Sequence, residues 1–300
     1  MRAIVLGASA GGGFPQWNCG CPNCMAVREG RPGYEPRTQD SIAVSNDGAR
    51  FVVVNASPEI LSQIQKNRAL WPRAARHTPI SAIVLTNGDM DHVLGLFSLR
   101  ESTPFVLYVT AAVLKGLEQS AFIRTLRRFD GQLVVRTIEI EKKTPLADAS
   151  GEPLGLTMRA FPAAGKLPVH FMGQWPDSPE DNVGLSFEDA AGKTLAYAAA
   201  CATAEDGAHL EGHDAVFFDG TFWTEDELVV AGLSKAYAKD MAHVPISGPT
   251  GSLARLKLSG RKIFTHINNT NPILAPDSDA RKQVLAGGWE IAYDGMEIAL

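Results

Sequence analysis

The sequence predicts an α/β protein: two β-sheets packed face to face with helices on the outside. Short β-rich runs punctuated by turns recur through both halves of the chain, and only a few helical periods separate them. A strictly alternating parallel sheet would need a helix after nearly every strand, so the imbalance favours two packed sheets. The 300 residues, 45% of them hydrophobic, suffice to bury a full core, and residues 1–300 are expected to form one layered domain.

The first series of strands is expected at Ala3 to Leu6, Ser41 to Ser45, Phe51 to Asn55, Ala82 to Thr86, Phe105 to Thr110 and Leu133 to Ile140. A second series follows at Leu156 to Phe161, Val183 to Phe187, Thr194 to Ala199, Ala215 to Asp219, Lys262 to His266 and Trp289 to Tyr293. Helical periods fall at Pro58 to Lys66, Val93 to Arg100, Ala111 to Gln119, Thr224 to Met241, Ser252 to Leu258 and Asp279 to Leu285. The stretch from Gly165 to Asn182 is rich in Pro, Gly and Asp and too long for an ordinary turn, which makes it a candidate substrate loop.

Composition narrows the partners. The net charge of −5 is spread along the chain without clustered Lys and Arg, so nucleic acid is not an expected partner. No apolar run approaches the roughly 20 residues a membrane span needs, and the opening M-R-A-I-V-L-G-A-S-A-G-G-G is too short and too glycine-rich for a secretory segment. A cytoplasmic location is expected.

Three of the four cysteines, Cys19, Cys21 and Cys24, fall within one short segment, C-G-C-P-N-C. Thiolates this close can reach one tetrahedral zinc, and a closed structural site would pin down a glycine-rich stretch with few apolar side chains to pack. Cys201, in A-A-A-C-A-T, reads as a small buried residue.

Asp89, Asp91 and His92 lie in T-N-G-D-M-D-H, where the apolar run Ser81 to Leu85 hands over to Val93-Leu94-Gly95-Leu96-Phe97. Asp91 could simply cap that helix. Two other segments make a metal the better account. Asp219 ends the apolar strand A-V-F-F, and His266 ends K-I-F-T. Buried carboxylates and imidazoles at strand ends need partners, and a shared metal would satisfy all of them.

The segments L-G-A-S-A-G-G-G-F-P-Q-W-N-C-G-C-P-N-C, T-N-G-D-M-D-H-V-L-G-L, F-F-D-G-T-F-W, A-H-V-P-I-S-G-P and F-T-H-I-N-N-T-N-P-I-L together resemble the pyrroloquinoline quinone (PQQ) biosynthesis protein B family of the metallo-β-lactamase-like superfamily. The resemblance implies an αββα sandwich with its site at one edge between the sheets. It aligns Asn87, Asp89, Asp91 and His92 with the H-x-H-x-D-H motif of the hydrolases, so the first metal site lacks both imidazoles. Asp91, His92, Asp219 and His266 would hold a single active-site metal, closer to a non-haem Fe(II) set than to a dizinc hydrolase.

On this resemblance the activity is an iron- and O2-dependent hydroxylation of the tyrosine ring of a Glu-Tyr unit cut from the precursor peptide PqqA. Asp89 would serve as a base beside the metal or an occasional ligand, Asn87 as a hydrogen-bond donor to bound oxygen or water, and His243 would match a proton-donating histidine of superfamily phosphodiesterases. His170 falls near another hydrolase ligand position, and its role stays open. For the zinc, the fourth ligand is Asn269, a water or a histidine. A homodimer and contacts with other PQQ biosynthesis proteins are compatible with the family. The alternatives are a metal-dependent hydrolase with two metals in the cleft and a carrier that transports PQQ or an intermediate.

Overall fold

The apolar runs form strands because alternate side chains can enter two different apolar layers. A computed structural model describes residues 1–300 except the side chain of Asp206. Fourteen strands follow in chain order: β1 (Arg2–Gly7), β2 (Ser41–Ser45), β3 (Phe51–Val54), β4 (Ile80–Val84), β5 (Phe105–Val109), β6 (Leu133–Thr137), β7 (Lys143–Ala147), β8 (Pro153–Pro162), β9 (Val183–Asp189), β10 (Thr194–Ala198), β11 (Ala215–Asp219), β12 (Arg261–Thr265), β13 (Trp289–Ile291) and β14 (Glu297–Ala299). They make two seven-stranded mixed sheets, ordered β14-β1-β2-β3-β4-β5-β6 and β13-β12-β11-β10-β9-β8-β7.

Between the sheets, Val5, Ile42, Val52, Val84 and Tyr108 meet Leu185, Leu195, Tyr197, Phe217 and Ile263 in one buried cluster. The opposite face of the first sheet presents Ile4, Leu6, Ile83 and Leu107 to Ile60, Val113 and Leu117 of the covering helices Ile60–Lys66 and Ala111–Gln119. Outside the second sheet, Val216, Phe218 and Phe264 pack with Val284 of the helix Asp279–Ala286. Strands β3 to β6 run parallel, as do β10 to β13. The chain segments leaving β4, β11 and β12 meet at one edge, where parallel sheets collect ligand-binding groups.

Each expected strand is present, but β7 and β14 were not anticipated. β7 carries Pro145 and β14 has three residues, and both are edge strands that carry weak patterns. The helix expected over Thr224 to Met241 does not form. A single turn, Glu227–Val230, ends at Gly232, whose φ is +67°, and a 3-10 turn follows at Lys239–Met241. Val230 and Leu233 are exposed there, so the apolar period has no surface to pack on. The helix expected over Val93 to Arg100 begins earlier, at Met90–Val93, and tightens into a 3-10 turn at Leu94–Ser98. Gly95 permits this close approach, because a Cβ there would fall 1.9 Å from the Ser57 carbonyl oxygen. Among the described residues no helix is long and apolar enough to cross a membrane.

The stretch from Gly165 to Asn182 packs beside the β4 exit. Phe171 lies over Gly116, where a Cβ would come within 2.4 Å of its ring, and stacks on Trp175 at 5.0 Å. Lys115 covers the Trp175 ring at 4.4 Å.

Candidate metal centre

Two overlapping groups of ligand-type side chains form where the strands end: Asp91, His92 and His266, and Asp219, His243 and His266. Their donor atoms lie within 4.8 Å of one another in each group. The β4 exit supplies Asp91 and His92 on the turn Met90–Val93. Asp89 occupies the N-cap position but makes no side-chain capping bond, and Asp91 lies inside the turn, so neither carboxylate is spent as a cap. β11 supplies Asp219. The end of β12 supplies His266, a non-glycine residue held at φ +55°, the kind of backbone strain that persists where surroundings fix it.

The polar contacts tie both sheets together. Asp91 Oδ2 is 3.4 Å from His266 Nε2 and 3.7 Å from His92 Nε2. Asp219 Oδ2 pairs with His243 Nδ1 at 2.7 Å and accepts from the Cys201 backbone N–H at 2.8 Å, and its Oδ1 accepts from Thr221 N–H at 2.9 Å. The Thr221 hydroxyl lies 3.1 Å from His243 Nδ1 and 2.9 Å from His266 Nδ1. The His243 and His266 rings stack at 5.3 Å, and His92 meets His266 edge-on at 5.5 Å. On the open side, a Cβ at Gly11 would stand 3.2 Å from Asp91 Oδ2, so the glycine-rich segment passes over the centre.

Electrostatics separates the two imidazoles. Burial holds His92 below its ordinary value despite Asp91 beside it. Burial would also lower His266, but the hydrogen bond and charge of Asp91, with Asp40 and Asp219 nearby, push it up to about 9. The Asp91 carboxyl, which burial would lift, is held well below the usual range by His92 and His266. Asp219 is likewise held low against burial, by His243 and then His266. Asp89 is raised, first by burial and then by the like charge of Asp91.

These residues fit a metal on one specific ground. His92 Nε2 is buried and has no hydrogen-bond partner among the described residues, and the Asp91 carboxylate is beyond hydrogen-bonding distance. An orphaned imidazole nitrogen facing a carboxylate and a second imidazole needs a ligand to satisfy it. Two imidazoles and one carboxylate suit non-haem iron or catalytic zinc.

Asn87 turns away from this cluster: its Nδ2 donates to Asn182 Oδ1 at 3.0 Å and its Oδ1 accepts from Asp89 N–H at 3.0 Å. His170, on the 3-10 turn Val169–Phe171, is exposed, packs against Phe171 at 4.0 Å and belongs to neither ligand group. Thr221 and Asp40 escaped the sequence reading. Thr221 stands two positions after Asp219, a spacing that could have marked it. Asp40 sits before β2 with nothing local to distinguish it; it is fully buried, accepts from Thr265 and Tyr197, and is lifted to about 6 chiefly by burial.

The cysteines form a second centre. Cys21 is the N-cap of the helix Pro22–Arg28 and Pro22 opens that helix, so all three Sγ atoms gather within 4.8 Å. The Asn269 side-chain amide faces them, 3.1 Å from Cys19 Sγ, 3.3 Å from Cys24 Sγ and 3.7 Å from Cys21 Sγ. Asn23 fixes the facing turn by donating to the Asn269 and Asn271 carbonyls. Burial and its sulfur neighbours push the Cys21 thiol up to about 11, which disfavours the free thiolate and suits a site that a cation completes. The donor set fits zinc.

Residues 50–267 match the model of the beta-lactamase superfamily domain. The chain is 46% identical over its whole length to 98% of coenzyme PQQ synthesis protein B of Rhizobium meliloti. It is 44% identical to the protein of that name from Methylobacterium nodulans, with both chains fully covered. The crystal structure of Zn(2+)-bound PqqB from Methylobacterium extorquens superposes over the full length of both chains with a TM-score of 0.91 at 40% identity. A diphosphatase of the PhnP family, at 19% identity and TM-score 0.67, shares the fold. With two mixed sheets between helices and this likeness along the whole chain, the protein has the metallo-β-lactamase fold and belongs to the coenzyme PQQ synthesis protein B family.

Proposed function

We propose that the protein acts in PQQ biosynthesis as an Fe(II)- and O2-dependent hydroxylase of the tyrosine ring of a Glu-Tyr unit derived from the peptide PqqA. The observation that carries this reading is the Asp91-His92-His266 group with its orphaned, buried His92 nitrogen. Asp91, His92 and His266 would hold the iron; Asp219, expected as a fourth ligand of that metal, falls instead in the adjoining group with His243 and His266. Iron bound there supplies redox chemistry toward O2 that zinc lacks.

The chain's own groups then have separable tasks. Asp89, raised by burial and by Asp91, is suited to take up and return a proton beside the substrate. Asn87 holds the Asp89 backbone and reaches Asn182 at the end of the long loop. His243 orients Asp219. A cleft of about 210 Å³ opens beside His243 and is lined by Lys239, Arg255, Glu205, Glu225 and Thr203. Its paired cations and carboxylates suit the carboxylates and free amine of a dipeptide. Cys19, Cys21 and Cys24 would hold a structural zinc; the Asn269 Nδ2 donates to their sulfurs, so the fourth group would be the Asn269 carbonyl oxygen after the amide turns over, a water or a histidine.

A second reading has support of its own. The group Asp219-His243-His266 overlaps the first, and two groups could hold two metals, as in a hydrolase. Anaerobic loading with Fe(II), a metal count, and exposure to O2 with Glu-Tyr and a chemical reductant separate them, the reductant supplying the two electrons that take the second oxygen atom of O2 to water. One iron and one zinc per chain with oxygen gained by the dipeptide supports the hydroxylase. Two metals in the cleft and cleavage without O2 returns the protein to hydrolysis.

A further inference from the structure

A buried chain of hydrogen bonds runs from His92 through the space between the sheets. The Asn55 side chain begins it. Asn55 follows β3 at φ +60°, a conformation asparagine tolerates. Its Oδ1 lies 3.0 Å from the Thr86 backbone nitrogen and 3.0 Å from Thr86 Oγ1, and its Nδ2 lies 3.3 Å from the Tyr197 hydroxyl. Tyr197 in turn donates to Asp40, which also accepts from Thr265, the residue before His266.

The directions of these bonds are fixed by one unambiguous donor. A backbone N–H can only donate, so the Asn55 atom facing Thr86 is the carbonyl oxygen. That oxygen carries no hydrogen, so the Thr86 hydroxyl must spend its single proton on Asn55. Thr86 Oγ1 then has only lone pairs to offer His92 Nδ1, 3.4 Å away. The backbone holds the same alignment, with Asn55 N–H donating to the Val84 carbonyl and Ala56 N–H to the His92 carbonyl.

We infer that Asn55, acting through Thr86, is a positioning residue that sets the tautomer of His92, placing the proton on Nδ1 and leaving the Nε2 lone pair free toward Asp91 and His266. The unpartnered state of Nε2 follows from the same relay. The opposite tautomer would leave an N–H on Nε2 with no acceptor, since Asp91 Oδ2 is 3.7 Å away. The inference rests on reading His92 as a metal ligand but not on the identity of the metal, the substrate or O2.

The test uses the full chain with its cysteine site loaded with zinc and no metal in the cleft. Long-range ¹H–¹⁵N correlation of the histidine rings reports which nitrogen of His92 carries the proton, and Co(II) titration reports affinity. In the unsubstituted protein His92 carries its proton on Nδ1. Thr86→Val keeps the branched shape but removes the acceptor, so the tautomers mix and Co(II) affinity falls about 10–100-fold. Thr86→Ser restores both. Asn55→Gly keeps the positive φ while freeing the Thr86 hydroxyl, and mixes the tautomers in the same way. A proton on His92 Nε2 in the unsubstituted protein overturns the inference, as do Thr86→Val and Asn55→Gly proteins that fold with the Nδ1 proton and Co(II) affinity unchanged. Absence of oxygen transfer to Glu-Tyr would remove the hydroxylase reading and leave these two readouts standing.

Discussion

Asp91 and His266 face each other at 3.4 Å across the edge where the two sheets meet, one from the exit of β4 and the other from the end of β12. Neither strand belongs to the other's sheet, so this pair exists only when the sandwich closes. The centre is therefore both a candidate ligand set and a seam of the fold.

If Asp91, His92 and His266 hold the active-site metal, His92→Ala should abolish its uptake while the cysteine zinc stays at one per chain. Metal analysis after anaerobic loading measures both, and circular dichroism should report an intact fold. A zinc count that falls together with the iron would refute independence of the two centres.

Substrate charge should be read in the cleft beside His243. If Glu-Tyr is the substrate, Lys239→Ala with Arg255→Ala should raise its KM about 10-fold or more with a smaller effect on kcat, the pattern expected of groups that would bind it without touching the reacting ring. Equal loss of kcat and kcat/KM would place them elsewhere in the mechanism.

Stability of the metal-free protein should fall as pH rises from about 4.5 to about 7 through Glu227. This carboxyl accepts from Trp223 N–H and from Thr270, yet burial outweighs those bonds and lifts it to about 7. The folded state then binds the proton more tightly than the unfolded state, so its contribution is full below the unfolded value near 4.5 and is lost as pH passes the folded value. Glu227→Gln should flatten this part of the urea-denaturation profile by on the order of 3 kcal/mol. A steeper profile in the variant would contradict the sign.

In the core, Phe217 has none of its surface exposed and lies between the sheets. Phe217→Ala should cost about 3–5 kcal/mol in urea unfolding, the loss typical of a cavity in a packed interior. A loss under 1 kcal/mol would mean that the sheets close around the gap.

At the cysteine centre, Cys21→Ala should loosen the segment before β2 without unfolding the sheets. Faster amide exchange confined to residues 8–39 is the expected readout. Global destabilisation instead would assign the zinc a role in the whole fold.

The sequence by itself determined the two-sheet class, the strands that build both layers and the clustering of Cys19, Cys21 and Cys24, because apolar alternation and close spacing are local properties. It also placed Asp91, His92, Asp219 and His266 at strand ends. The tertiary structure alone decided that His243 joins Asp219, that Asn269 faces the sulfurs and that Asn87 turns toward Asn182. These pairings link residues far apart in the chain, and their distances depend on how the sheets stack. The broken helix between Thr224 and Met241 has the same origin: its apolar period found no surface to bury against, and a left-handed glycine ended it. Asp40, Asn55 and Tyr197 carry no sequence signature because each is ordinary within its own segment, and only burial between two sheets makes their hydrogen bonds obligatory.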